Sequence, residues 1–223
     1  MGLPLIRLAQ VDSTQAFLRR NPHLGCCAVL ADQQTEGRGR LGNTWESAPG
    51  AGLWLSVALP GPGGPNPGLL LQRAMIAAAR ILDPAGRTLG LKWPNDLLAW
   101  KGGRLVKLGG ILGEQAGGRL ILGLGVNLSS APVIPERKIP PGCLAELGLE
   151  TPSTTELSVS IAKSWNALSE QLEPLFRWPE AGMPLRWEDG QGTCLGWEPD
   201  GRLKVVTREG IQRLSAGDVS GLG

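Results

Sequence analysis

The chain has 223 residues, 22 of them basic and 20 acidic, for a net charge of +2. Glycine (33) and proline (18) fill 51 of the 223 positions, which is high but short of a low-complexity composition, and 42% hydrophobic residues suffice for a normal core. The length allows one large domain or one with a small module. The near-balanced charge argues against a domain that holds DNA by charge alone.

His23 is the only histidine, which argues against histidine-rich zinc sites and a Ser-His-Asp hydrolase. Cys26, Cys27, Cys143 and Cys194 show no C-x-x-C spacing and make a poor disulfide framework, so they read as buried thiols in a reduced cytosol. The N-terminus lacks a basic segment followed by a long apolar run, and no stretch approaches the roughly 20 apolar residues of a membrane span. A soluble cytoplasmic protein is expected.

In chain order, Leu3 to Ala9 reads as a strand, and Asp12-Ser13-Thr14 offers capping side chains for a helix through QAFLRR. Cys26 to Ala31 and Leu53 to Leu59 read as further strands, and Asn66-Pro67 opens a helix through LLLQRAMIAAARIL. Leu89 to Trp93 is a strand stopped by Pro94-Asn95. LLAW, GRLVKLGGILGEQ and GRLILGLGVNL follow, separated by the Gly102-Gly103 and Gly117-Gly118 pairs that signal hairpin turns. Residues 129–142 read as a loop.

Ser153 and Glu156 form a capping-box pair. After them, Leu157, Ile161, Trp165, Leu168, Leu172 and Leu175 recur at helical spacing, predicting an amphipathic helix. Beyond Pro184 come short strands with polar turns: LRWED, GTCLGW, RLKVVT and IQRLSA. The pattern divides the chain into residues 1–180 and a small β unit at 184–223, which fits an SH3-like barrel.

Four segments carry chemistry. Gly37-Arg38-Gly39-Arg40-Leu41-Gly42 spells the dinucleotide fingerprint, but the helix that fingerprint requires is replaced by NTWESAPGAG, and no acidic residue stands about 20 positions on. A glycine-rich loop with two guanidinium forks instead suits closure over an anionic ligand, the bland alternative being a solvated basic turn. Lys92-Trp93-Pro94-Asn95-Asp96 places an ammonium, an amide and a carboxylate at a strand end. Lys suits a phosphate there, and Asp suits Mg²⁺ or a ribose hydroxyl; a Pro-Asn surface turn is the alternative. Lys107 interrupts a strand-like run before Gly109-Gly110, where backbone permits close approach, or is an ordinary edge-strand lysine. Gly123-Leu124-Gly125-Val126-Asn127 ends a strand in an amide.

Together and in this order, VDSTQ, QTEGRGRLGNTW, GLWLSVAL, KWPNDLL, KLGGILGE and GLGVNL resemble the motif series of the biotin–protein ligase family, from about residue 3 to 128, and again in the tail GRLKVVTREGIQRLSAGDVS. The resemblance implies an α+β fold: a mixed-sheet catalytic domain of the biotin/lipoate ligase type followed by the small SH3-like barrel. It implies a ligase that activates biotin with ATP as biotinyl-5′-AMP and transfers it to a lysine of the biotin carboxyl carrier protein of acetyl-CoA carboxylase. Mg²⁺ would accompany ATP, with Asp96 the one candidate ligand.

By motif position, Ser13, Thr14 and Gln34 would bind the biotin head group. Gly37, Arg38, Gly39 and Arg40 would form the closing loop, and Lys107 would contact the reacting carboxylate and α-phosphate, so that Lys107, Arg40 and Arg38 carry the catalysis. Arg40, Lys92, Asn95, Asp96 and Asn127 would serve ATP, with Trp45 a wall that orders on closure. The base for the acceptor lysine is open, Asp96 being a candidate.

Glu36 and Trp54 depart from the family's usual residues, and the tail is short for the barrel. Only 12 residues precede Ser13, too few for a helix-turn-helix, so no specific DNA binding and no membrane partner are expected; a homodimer stays open. The alternatives are a lipoate or other acyl–protein ligase of the same fold, a nucleotide-binding module without turnover, and an unrelated α+β domain.

Overall fold

A computed structural model of the chain describes residues 2–61, 67–135, 137–167 and 176–222. The elements are β1 (Leu5–Val11), α1 (Thr14–Arg20), β2 (Ala28–Gln34), β3 (Gly52–Pro60), α2 (Pro67–Leu82), β4 (Leu89–Lys92), β5 (Asp96–Lys101), β6 (Arg104–Ala116), β7 (Arg119–Asn127), α3 (Thr154–Asn166), β8 (Arg177–Trp178), β9 (Pro184–Trp187), β10 (Gly190–Trp197), β11 (Leu203–Thr207), β12 (Gly210–Leu214) and β13 (Ser220–Gly221). The first eight strands form one sheet in the order β1-β2-β3-β7-β6-β5-β4-β8. It is mixed, as expected: β1/β2 and β4/β8 are parallel and the other neighbours antiparallel.

The two-residue period of the strands determines the two faces. On β3, Leu53, Leu55, Val57 and Leu59 enter the main core with α2 and α3, as do Leu120, Leu122, Leu124 and Val126 on β7. Each such side chain, once fully buried, contributes roughly 1.5–3 kcal/mol. Trp165 fastens α3 to α2 by donating from Nε1 to the Ala74 carbonyl at 2.8 Å. On the opposite face α1 covers only one end, where Leu18 packs with Val29, Ala58 and Ile121. The rest of that face, toward β4, is the floor of a cavity.

Local signals behave as their chemistry requires. Ser13 caps α1, and its side chain accepts from the Ala16 N–H. Ser153 and Glu156 complete the capping box of α3. Gly102, Gly103, Gly117 and Gly118 all have positive φ, so both glycine pairs make two-residue hairpin turns that a β-carbon would strain. Leu157, Ile161 and Trp165 are buried, but the helix ends at Asn166; Asn66, Leu168, Leu172 and Leu175 lie outside the described residues. The four cysteines are free thiols, and burial pushes those of Cys27 and Cys194 upward in pKa. Among the described residues no helix is long and apolar enough to cross a membrane.

The C-terminal strands form a five-stranded antiparallel sheet, β12-β11-β10-β9-β13. The pairings of the described residues do not close it into the expected barrel, because β12 and the two-residue β13 remain as separate edges. Its core is shared with the larger sheet: Trp93, fully buried, packs with Leu185, Cys194, Leu203, Val205 and Val219. Trp93 Nε1 and Gln72 Nε2 both donate to the Gly201 carbonyl, at 3.1 and 2.6 Å. A segment this short has little core of its own, and the shared tryptophan supplies part of it.

Candidate active site

The uncovered face of the large sheet opens into a cavity of about 940 Å³. Sheet register explains its floor. Lys92 pairs with Asp96, Asp96 with Gly110, Gly110 with Gly125 and Gly125 with Trp54, so one row crosses five strands from β4 to β3. At about 4.8 Å per strand step the row spans roughly 19 Å.

A bulge places the central lysine. On β5, Leu97 pairs with Gly109 but Leu98 pairs with Lys107, so Leu108 is an extra residue on β6. In unbroken alternation Lys107 would share the core face with Gly109 and Ile111. The extra residue reverses the alternation, sends Leu108 and Val106 into the core, and turns Lys107 to the cavity.

One end of the cavity is neutral and filled with hydrogen bonds. The Thr14 N–H and hydroxyl both donate to Gln34 Oε1, at 2.9 and 3.1 Å. Thr14 Oγ1 also lies 2.8 Å from Ser56 Oγ, and Gln34 Nε2 donates to Ser47 Oγ at 3.0 Å. Gln15 reaches the Leu112 and Ile121 carbonyls. The glycines of GLGVN admit these groups: a β-carbon on Gly123 would stand 2.9 Å from Gln15 Oε1, and one on Gly125 2.6 Å from Trp45 Nε1. Trp45 crosses Trp54 edge to face at 6.3 Å between ring centroids. Trp54 is buried in the core beside Trp45 and is not among the residues that line the cavity.

The other end is ionic. Lys107 Nζ lies 2.7 Å from Asp96 Oδ1 and 5.9 Å from the Trp45 ring centroid. Lys92, buried, is ion-paired with Asp218 of the C-terminal sheet and lies 5.6 Å from the Trp178 ring centroid. Arg40 crosses from its loop to donate to Asn95 Oδ1 and the Gly217 carbonyl, both at 3.1 Å, while Asn95 Nδ2 donates to the Ile111 carbonyl at 2.8 Å. Asn127 is buried, and its amide donates to the Gly142 carbonyl at 3.0 Å.

The GRGRLG segment forms an arch beside β2, with no following helix. Gly39 N–H donates to the Asn43 carbonyl at 2.7 Å and Trp45 N–H to the Gly37 carbonyl at 2.9 Å. Arg38 bridges to Thr44 and is exposed, and Glu36 is exposed beside it. Gly37 is the one expected site residue that stands behind the cavity wall: it is buried, and a β-carbon there would lie 2.3 Å from the Trp45 carbonyl oxygen. Ser13, Thr14, Gln34, Arg38, Arg40, Trp45, Lys92, Asn95, Asp96, Lys107 and Asn127 all line the cavity.

Sequence reading missed Gln15, Ser56, Trp178 and Asp218, which line it too. For Ser56 the signal was present, since a lone hydroxyl in the apolar run LWLSVAL requires a buried partner. For Trp178 and Asp218 no local signal exists.

A family model described as the biotin/lipoate A/B protein ligase family matches residues 9–129. The biotin–[acetyl-CoA-carboxylase] ligase of Mycobacterium tuberculosis is 34% identical over 95% of this chain and 86% of its own length. The bifunctional ligase/repressor BirA of Bacillus subtilis is 37% identical over 59% of this chain, a match that spans 42% of the repressor. A structure of the biotin protein ligase from Aquifex aeolicus in complex with biotin and ATP shares the fold, with a TM-score of 0.77 and 27% identity over 98% of each chain. The chain belongs to the biotin/lipoate A/B protein ligase family. Within that family its similarities run to the biotin protein ligases, and it is an enzyme of that kind.

Proposed function

We propose that this enzyme activates biotin with ATP as biotinyl-5′-AMP and transfers the biotinyl group to one lysine of a biotin carboxyl carrier protein. The observation that supports this most strongly is the joining, in one cavity, of a neutral hydrogen-bonding end and an end holding Lys107, Lys92 and Arg40. A ureido-bearing head group matches the first, and a carboxylate meeting a triphosphate matches the second.

In the first step a biotin carboxylate oxygen attacks the α-phosphorus, the bond from that phosphorus to the bridging oxygen breaks, and pyrophosphate leaves with the electron pair. Lys107 faces the cavity between the two ends and stabilises the charge that grows on the α-phosphate oxygens. Lys92 and Arg40, beside Asn95, hold the departing phosphates, and Ser13, Thr14 and Gln34 hold the head group. In the second step the acceptor amine attacks the acyl carbon, AMP leaves, and the amine loses a proton. Asp96 is the candidate base, being the carboxylate paired with Lys107 and its side chain 15% exposed.

The donor set fits a Mg²⁺ that arrives on the nucleotide, since such an ion needs only one or two carboxylates beside phosphate oxygens, and Asp96 supplies one. When bound, the ion offsets phosphate charge. No cluster of three metal-binding side chains exists among the described residues, so a protein-only cage is not what the site offers. Residues 1–180 form the catalytic unit in this reading. Residues 184–223, a sheet of SH3-like size, complete it through Asp218 and Gly217.

The test is to incubate the protein with ATP, Mg²⁺, a carrier domain and either biotin or lipoate, and to weigh the carrier. One biotinyl addition that depends on ATP is expected. A lipoyl addition in its place, or no addition with pyrophosphate release absent, would overturn the reading.

A further inference from the structure

The two lysines on the cavity floor have the same pair of neighbours, an aspartate and an indole ring. Lys107 has Asp96 at 2.7 Å and the Trp45 ring centroid at 5.9 Å. Lys92 has Asp218 and the Trp178 ring centroid at 5.6 Å. Both rings stand within the roughly 6 Å at which an aromatic face attracts an ammonium. Trp45 follows the arch, whereas Trp178 is placed by the sheet itself. β8 pairs with β4 in parallel, and the register sets Trp178 directly beside Lys92. The Trp93 N–H holds that register by donating to the Trp178 carbonyl at 2.8 Å. β13 runs against the ring, since a β-carbon on Gly221 would stand 3.9 Å from Trp178 Cζ2. The ring also packs on the core that Trp93 shares with Leu185 and Val219.

The two neighbours of Lys92 respond differently to a phosphate. The Asp218 side chain is 74% exposed and that of Lys92 only 8% exposed, so the carboxylate can exchange the ammonium for water but the ammonium cannot do the reverse. A phosphate competes with that carboxylate, because both are anions that seek the same donor. An indole face attracts the ammonium through its quadrupole and adds no net charge for a phosphate to oppose. A buried ammonium is costly unless its lost hydration is offset. Once Asp218 has yielded, the ring is the protein neighbour that still holds Lys92.

We propose that Trp178 is a positioning residue for the activation step: its ring holds the Lys92 ammonium at the ionic end of the cavity, so that the lysine meets the departing phosphates already in place. This rests on the ligase reading above and deepens it at one site. Asp218 gives up the ammonium when phosphate arrives, and Trp178 retains it. The role concerns the phosphate chain and not the nucleotide base, so it extends to inorganic pyrophosphate.

The test alters the field of the ring and leaves its shape. In the full chain, Trp178 alone is replaced by tryptophans that carry one, two and three ring fluorines, which withdraw electron density from the face in steps at nearly constant size. Two ligands are titrated at saturating biotin: α,β-methylene-ATP, which cannot release pyrophosphate, and inorganic pyrophosphate, each with Mg²⁺. Both Kd values should rise at each step, by about 3- to 30-fold across the series, the range of one cation–π contact. Biotin affinity should stay within twofold and the unfolding temperature unchanged, which a merely structural role for the ring would not give. Affinities that do not respond to fluorination would overturn the proposal. So would tighter binding of the nucleotide with no change for pyrophosphate, the result expected of a ring that stacks on the base. These titrations need no turnover, so they judge Trp178 alone. A wild type that releases no pyrophosphate from ATP and biotin would overturn the ligase reading, whatever the titrations give.

Discussion

The two ends of the cavity are prepared in different ways. At the neutral end Thr14, Gln34, Ser47 and Ser56, contributed by separate elements, satisfy one another in hydrogen bonds of 2.8 to 3.1 Å. A neutral ligand can exchange those bonds for its own at little net cost, because each such bond is worth only about 0.5–1.5 kcal/mol net. At the ionic end Lys107 and Lys92 are each held by an aspartate, Asp96 and Asp218. A phosphate must compete with those carboxylates, and it competes best when its charge is greatest. The neutral end therefore suits uniform binding, whereas the ionic end suits binding that strengthens in the transition state.

Removing the central cation should separate the two ends most sharply. Lys107→Ala is expected to slow adenylate formation by about 2–4 kcal/mol, roughly 30- to 1,000-fold, with little change in the affinity for biotin. Pyrophosphate release and biotin binding, measured on the same folded protein, check this. Near wild-type release would remove Lys107 from the chemistry.

The two arginines of the arch come next. The sequence assigns both to the lid, but only Arg40 crosses the cavity, to Asn95 and Gly217, while Arg38 is exposed and bridges to Thr44. Arg40→Gly should thus release activated biotin and label an unrelated lysine-rich protein, by about tenfold over wild type from the loss of charged hydrogen bonds. Arg38→Gly should leak less. The comparison of bystander labelling decides it, and equal leakage from both variants would break the assignment of the latch to Arg40.

These cases show where sequence reading reached and where it stopped. Strands, caps and glycine turns were legible because their causes are local: Ser13 and Ser153 cap the residues that follow them, and a glycine pair supplies its own positive φ. Lys107 was legible as a residue but not as a direction, since the bulge at Leu108 exists only in the pairing with β5. The partners of Lys92 and Arg40 were out of reach, because Asp218 lies 126 positions from Lys92 and Gly217 lies 177 from Arg40. The closed barrel failed for a related reason. Strand count suggested closure, but β13 is too short and is paired only with β9, and much of the unit's core is turned toward Trp93.

At the neutral end the expected effect is smaller. Ser56 is fully buried, and its hydroxyl meets Thr14 Oγ1. Ser56→Ala leaves Thr14 with Gln34 as its remaining partner, so biotin affinity should weaken by about 0.5–1.5 kcal/mol with turnover at saturation little altered. Calorimetric titration with biotin, beside kcat, checks the split. A large fall in kcat would place this end in the chemistry and erase the contrast.

The smallest effect is expected outside the cavity, at the ion pair that precedes the α1 cap. Arg20 grips Asp12 with two hydrogen bonds, at 2.6 and 2.7 Å, and Asp12 Oδ1 also accepts from the Ser13 N–H at 2.8 Å. The guanidinium beside it holds the Asp12 carboxyl down at about 2, from an ordinary value of 3.8. A carboxyl depressed in the folded state stabilises the fold above its unfolded pKa, and that contribution is lost as pH falls through the folded value. The stabilisation should thus be complete above about pH 5, fall between there and pH 2, and be gone only below about pH 2. With the Asp12 side chain 32% exposed and that of Arg20 52% exposed, solvent screening holds it below about 1 kcal/mol. Denaturant unfolding of wild type and Asp12→Asn, from pH 7 to pH 2, should show a small gap that narrows only below about pH 5. Because Asn still offers an Oδ1 acceptor to the Ser13 N–H, the absence of any gap at pH 7 would mean that the charge of Asp12 contributes nothing.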